Sequence, residues 1–255
     1  MMTLMLATLV ALTNQFGSVQ ADSVGALVLS YVPAGGKDVF FRQTGARNPN
    51  GWYNGGVPIC WPWFGQQGDP GTSSHGFVRT KEWTLVSCAN APERSRALFR
   101  LEAKDEYRLE YEIVLDRTLS LKLDMTNLGA ERFPVTTGLH PYFAMSAVEN
   151  VTVVTPKKPI KCFAGMDGGR KFGEGTYEIV DKGSGRRLSL KTLGNNNLIL
   201  WNLGTEETLA GMVGDDWRRY VCVEPAVYPR SAGFYLDPGE TRSLGLVCTV
   251  LDPGK

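Results

Sequence analysis

The sequence predicts an all-β protein, a sandwich of two or more antiparallel sheets with its functional groups on the loops. Three observations carry this expectation. Apolar and polar residues alternate with period two in several stretches. Turn signals such as "PAGG", "KGSG", "DPGE" and "NLG" separate those stretches at short intervals, and the sequence shows no long amphipathic helix or heptad repeat. Glycine and proline make up 29 and 14 of the 255 residues and are spread evenly, with no repeat and no composition break. One domain over residues 1–255 is therefore expected.

The first apolar run, "MMTLMLATLVAL", reads as a strand rather than a secretory leader. Ala21 sits where small residues precede a cleavage site, but no Lys or Arg occurs before Lys37, and the run is too short to span a bilayer. Ala26–Tyr31 is the next strand candidate. The run "GGVPICWPWFG", from Gly55, is apolar enough for a core strand, yet Pro58 and Pro62 each lack a backbone N–H, so it is expected to be a rigid aromatic loop. Within it, Val57, Ile59 and Cys60 are expected in the core and the Asn54–Gly56 edge at a ligand, while Trp61, Trp63 and Phe64 suit either place.

After Thr84–Cys88 and Ala97–Lys104 come two regular alternations. In "LEYEIVL", Leu109, Tyr111, Ile113 and Leu115 share one face. In "TLSLKLDM", Leu119, Leu121, Leu123 and Met125 point one way and Ser120, Lys122 and Asp124 the other. Both read as half-buried antiparallel strands. Val151–Val154, Arg187–Leu190, Asn197–Trp201, Tyr220–Val223 and Ser243–Thr249 complete the set.

A net charge of +1 provides no global field for nucleic acid or an anionic membrane, so neither is an expected partner. The five cysteines are odd in number and lack C-x-x-C spacing. Neither a disulfide framework nor a metal site is expected, and reduced thiols in a cytoplasmic protein are.

Chemistry-bearing residues are few. The two histidines are His75 in "SSHGFVR" and His140 in "TGLHPYF", each in a short aromatic segment with Gly or Pro beside it. Imidazole both donates and accepts protons near neutral pH, although a lone histidine is as readily structural. Glu224, in "YVCVEPAVY", is expected at the end of a buried strand held by Pro225, either capping the sheet or poised as a base. Phosphate-cradling glycine loops and a G-x-S-x-G nucleophile elbow are missing from the sequence, and one Glu with two His makes the best acid–base set.

In order, "GGVPICWPWFG", "SHGFVRTKEW", "LHPYF", "LILWNLG" and "YVCVEPAVY" resemble the segments of the glucose-6-phosphate 1-epimerases, hexose-6-phosphate mutarotases of the aldose 1-epimerase superfamily. The resemblance runs from about Leu9 to the end. It implies the galactose-mutarotase-like β-supersandwich and interconversion of α and β anomers of a hexose 6-phosphate without a cofactor. It further implies His140 as general acid, Glu224 as general base, His75 on the sugar oxygens, Arg79 on the phosphate and Asp167 on a sugar hydroxyl. The expected partner is a small-molecule sugar or sugar phosphate, and the protein is expected to be a monomer. Three positions depart from the family. Asn54 stands where an Arg is common, Gly168 where another Arg is expected, and Leu203 replaces a proline after "WN". Asn54 keeps a hydrogen-bonding role toward substrate without the charge; Lys81, Arg170 or the Lys157, Lys158, Lys161 group are the cations left to make it up, although a solvated surface is the expected role of those lysines. The alternatives are an aldose 1-epimerase for a neutral sugar and a non-catalytic sugar-binding module of the same fold.

Overall fold

The computed structural model describes residues 8–48, 53–66, 72–205 and 209–251, with the backbone alone for Arg170. Residues 1–7 of the apolar N-terminal run and the Arg170 side chain thus lie outside what is described. Strands β1 (Leu9–Asn14), β2 (Gly17–Asp22) and β3 (Leu27–Pro33) form an antiparallel meander. Next comes β4 (Ile59–Cys60), then four strands paired in succession: β5 (Thr84–Ala89), β6 (Ser95–Ala103), β7 (Tyr107–Leu115) and β8 (Leu119–Asn127). Three short strands follow, β9 (Phe133–Val135), β10 (Thr137–Leu139) and β11 (Tyr142–Ala144). The remainder are β12 (Val151–Val154), β13 (Ile160–Lys161), β14 (Asp167–Arg170), β15 (Gly175–Asp181), β16 (Arg186–Leu193), β17 (Asn197–Trp201), β18 (Tyr220–Val227), β19 (Phe234–Leu236) and β20 (Thr241–Leu251).

The largest sheet runs β13-β12-β15-β16-β20-β8-β7-β6-β5. A second runs β14-β17-β18-β10-β4, with β11 also paired to β18. The alternation expected for β7 and β8 is met residue by residue: Leu109, Tyr111, Ile113, Leu115, Leu119, Leu121, Leu123 and Met125 are all buried, while Ser120, Lys122 and Asp124 are partly exposed. One cluster of buried apolar side chains takes Val10 and Leu12 from the meander, the β7 and β8 residues, and Leu198, Leu200, Val221 and Val223 from the second sheet. At roughly 25 cal/mol per Å² of apolar surface, this shared burial is the main force that fixes one sheet against another.

Two expectations are corrected here. The aromatic run is a loop only in part, because Ile59 and Cys60 pair with Leu139 and Gly138. Pro58 and Pro62 flank this two-residue strand at the sheet's edge, where a missing N–H costs no ladder bond. Glu224 is not at a strand end, because β18 continues through Pro225 to Val227.

Candidate active site

The position of Glu224 follows from a break in the neighbouring strands. On one side β17 pairs with all of Cys222–Ala226, with Ile199 opposite Glu224 and Leu198 opposite Pro225. On the other side β10 reaches Ala226 and Val227, β11 reaches Tyr220 to Cys222, and the residues between lack a ladder partner. Pro225, with no N–H to give, falls in that gap, which is how a proline sits inside an internal strand. The register is the same above and below the gap, so it sets His140 directly across from Glu224. Cross-strand neighbours point to the same face with Cβ atoms about 4.5–5.5 Å apart, and here His140 Nε2 is 3.4 Å from Glu224 Oε2. Sequence separation is 84 residues; the register removes it.

Period-two alternation then builds the rest of that face. Asp167 and Gly169 on β14, Ile199 and Trp201 on β17, Glu224 on β18, Tyr142 on β11 and Cys60 on β4 all line one cavity of about 590 Å³. The intervening residues Leu198, Leu200, Val221, Val223, Leu139 and Ile59 face the main core instead. Gly138 is required at its position because a Cβ there would stand 2.5 Å from the Phe64 ring. Phe64 lies near His140, with ring centroids 6.4 Å apart, and Tyr142 stacks on His140 at 5.0 Å and 17°. Trp201 meets His140 edge-on at 5.9 Å. These rings pack around the imidazole, and among the described residues His140 Nδ1 and both Glu224 oxygens have no hydrogen-bond partner.

His75 enters from a separate loop. Its backbone is left-handed (φ +65°), followed by Gly76 at φ +72°. A Cβ on Gly76 would collide with the Trp61 carbonyl, so the "HG" pair turns the chain where a second side chain could not fit. Gly65 and His75 bond reciprocally. The His75 N–H donates to the Gly65 carbonyl (2.9 Å), and the Gly65 N–H donates to His75 Nδ1 (3.2 Å). An Nδ1 that accepts leaves the ring proton on Nε2. Arg79, on the short 3₁₀ turn Val78–Thr80, donates from Nη2 to the Ser74 carbonyl and also lines the cavity.

All six residues singled out from the sequence, Asn54, His75, Arg79, His140, Asp167 and Glu224, therefore line one cavity. Asn54 differs from expectation in its bonding. Its Nδ2 donates to Gln43 Oε1 and to the Ala210 carbonyl, so the amide ties the 209–214 segment to the rim. Gly55 and Gly56 are buried against the backbone of Phe41 and Val28 and do not line the cavity, whereas Cys60 does. Trp61 belongs to the core, packed on Tyr107 and Phe133. Lys81, Lys157, Lys158 and Lys161 are absent from the lining, and among its described residues Arg79 supplies the one Lys or Arg side chain. Phe64, which suited either place in the sequence, lines the cavity, and so do the aromatic residues Tyr142, Trp201 and Tyr228, to which the sequence gave no role although each lies inside a quoted motif. The period-two rule applied to "LILWN" and "YVCVEPAVY" selects Trp201 as a same-face neighbour of the Glu224 position.

Burial dominates the electrostatics. It pushes the Glu224 carboxyl well above its ordinary range, with the Asp167 charge adding to the rise. It holds His140 well below the usual imidazole value, helped by His75 and Arg79. His75 is lowered to about 4, by burial first and the Arg79 charge second. Cys222, also buried against this pair, has its thiol pushed up by burial and by Glu224. Burial thus favours a proton on the carboxyl and a neutral ring beside it. That pair holds one transferable proton, the same total as carboxylate plus imidazolium.

Residues 8–162 match the family model "Aldose 1-epimerase". A protein of Escherichia coli K12 named "Putative glucose-6-phosphate 1-epimerase" is 27% identical over 230 residues, covering 79% of this chain and 77% of that protein. A protein of the same name from Haemophilus influenzae is 27% identical over 189 residues, covering 68% and 66%. Among solved structures, "a putative mutarotase" from Salmonella typhimurium superposes with a TM-score of 0.87 at 22% identity, covering 96% of this chain and 91% of that one. The "galactose mutarotase related enzyme" from Lactobacillus acidophilus gives 0.72 at 14% identity, with 96% and 98% covered. These two share the fold.

Proposed function

Since the chain belongs to the aldose 1-epimerase family, we propose that its cavity interconverts the α and β anomers of a hexose 6-phosphate, with Glu224 as general base and His140 as general acid. The observation that carries this reading is the 3.4 Å contact of His140 Nε2 with Glu224 Oε2 on the cavity floor. The hydroxyl and the ring oxygen of a cyclic hexose share one carbon, so an acid and a base that are neighbours can address both.

Ring opening starts from the pair's other form, carboxylate and imidazolium, reached when its single proton moves from Glu224 to His140; Glu224 then takes the proton of the C1 hydroxyl while His140 gives one to the ring oxygen. The C1–ring-oxygen bond breaks and the C1–O1 bond becomes a carbonyl. The pair is left as carboxylic acid and neutral imidazole, the form that burial favours. Rotation about C1–C2 presents the other face, and reclosure runs the two transfers backward. Each transfer contributes on the order of 10²–10⁴-fold, and the protons balance between the two side chains. His75, with its proton on Nε2, donates to a sugar oxygen. Asp167 accepts from a hydroxyl at the rim, and Asn54 fixes that rim. Tyr142, Trp201 and Phe64 keep the imidazole in place and give the sugar an apolar wall.

Arg79 is the group suited to the phosphate, because guanidinium keeps its charge and forks onto oxygen pairs. A second reading, a neutral hexose, draws on the same cavity: Arg79 is its one Lys or Arg among the described residues, and Asn54 brings none. Rates of anomerisation on α-glucose and α-glucose 6-phosphate separate the two. A preference for the phosphorylated sugar supports the first reading, and equal or better turnover of glucose supports the second.

A further inference from the structure

The sequence, with its scattered cysteines, gives no metal-binding pattern, yet among the described residues the fold brings together a set of mixed donors. Cys222 and Glu224 are two residues apart on β18 and so share a face, and His140 lies across the gap from Glu224. Their ligating atoms are all within 4.8 Å of one another. All three residues are buried, at 0%, 1% and 8% exposure for Cys222, Glu224 and His140. Independently of that proximity, both oxygens of the buried Glu224 carboxyl lack a hydrogen-bond partner among the described residues.

We propose that His140, Cys222 and Glu224 form a binding site for Zn²⁺, and that an ion held there blocks the cavity's chemistry. The dimensions fit. Zinc takes imidazole nitrogen and carboxylate oxygen at about 2.0–2.1 Å and thiolate sulfur at about 2.3 Å, which makes tetrahedral edges of roughly 3.3 Å between N and O and 3.6 Å to S. The Nε2–Oε2 separation is already 3.4 Å. With one ligand atom of each residue within 4.8 Å of the others, closing every edge to tetrahedral length takes no more than about 1.5 Å. A nitrogen, a sulfur and a single oxygen suit Zn²⁺ and not Mg²⁺ or Ca²⁺, which want several oxygens. The cavity supplies the entry path and room for a water as fourth ligand. On binding, the Cys222 thiol and the Glu224 carboxyl each release the proton they carry, and neutral His140 lends its lone pair. No oxidant or reductant is involved.

Inhibition rests on the roles proposed above for His140 and Glu224, but metal binding does not, and the test reads the two separately. Metal-stripped full-length protein is titrated with Co²⁺, whose four-coordinate thiolate complexes show a near-ultraviolet sulfur-to-cobalt band. The proposal expects one equivalent with that band in the native protein, displaced by Zn²⁺, and no band in Cys222→Ser or Cys222→Ala. Micromolar Zn²⁺ should slow anomerisation at least tenfold, EDTA should restore it, and both variants should keep the zinc-free rate while needing at least tenfold more Zn²⁺. Cobalt bound without a thiolate band, or a Zn²⁺ response unchanged in both variants, overturns the site. A protein that shows the band but has no anomerisation activity overturns the proposed function and leaves the metal site standing.

Discussion

Replacing Arg79 by Gln tests the substrate assignment and the electrostatics together. The substitution removes the one Lys or Arg side chain among the described lining residues, with a polar group of similar reach in its place. A hydrogen bond to a charged group contributes about 1.5–3 kcal/mol. At 1.36 kcal/mol per tenfold, kcat/KM on glucose 6-phosphate should therefore fall roughly 10- to 150-fold. On glucose, which has no phosphate to lose, the change should stay within a factor of about three, the scale of an ordinary polar substitution. The Arg79 charge is also the second cause of the low His75 pKa. A chain with two histidines gives two imidazole titrations by proton NMR, and that of His75 should move upward from about 4 in the variant. Equal losses on both sugars would refute the phosphate contact. An unmoved His75 titration would refute the short-range coupling.

Glu224→Gln should raise the melting temperature while removing activity, because it relieves a buried carboxyl whose folded pKa is above the unfolded one. That burden is absent below the ordinary carboxylate pKa and grows as pH rises through it, so the gain should increase from about pH 4.5 upward. His75 acts with the opposite sign. Its folded pKa is depressed to about 4, so its contribution is intact above 6.5 and lost as pH falls toward 4, by up to about 3 kcal/mol at 1.36 kcal/mol per unit; urea titrations across that range check it. The rate should be flat through neutrality, with an acid limb well below 6.5 and an alkaline limb well above 4.5, since the His140–Glu224 pair keeps its single proton between those limits. Gly138→Ala sets a methyl against the Phe64 ring, 2.5 Å away in the native geometry, and should cost about 1–3 kcal/mol of stability and raise KM as the ring turns into the cavity. Chemical denaturation and steady-state kinetics read both effects.

Much of this was legible in the chain. The alternation in "LEYEIVL" and "TLSLKLDM" places all eight expected apolar residues of β7 and β8 in the core, because a half-buried strand writes its face into the sequence, while Val114 and Thr126 are buried on the opposite face by other neighbours. Asn197–Trp201 and Val151–Val154 matched to the residue. Pro225 misled the reading of β18, since its cost depends on whether a partner strand needs its N–H, and that is a property of the neighbours. The same is true of the site. Motifs named His75, Arg79, His140, Asp167 and Glu224, but the contact of His140 with Glu224 is set by the shared register of β10 and β11. Strand register also brings Cys222 near His140 and Glu224, a proximity that cysteine spacing in the sequence does not show. Asn54 showed the reverse: the family pattern marked the position, and only the structure reveals that its amide N–H groups are taken by Gln43 and Ala210.

The central claim is that His140 and Glu224 act together to open and close a sugar ring. Magnetisation-exchange NMR between the anomeric signals of glucose 6-phosphate measures that step directly, at equilibrium and without a coupling enzyme. Native protein should accelerate exchange. Glu224→Gln and His140→Asn, each shown folded by its melting curve, should reduce the acceleration by about 10²–10⁴-fold. Exchange that proceeds at the native rate in either folded variant would contradict the account.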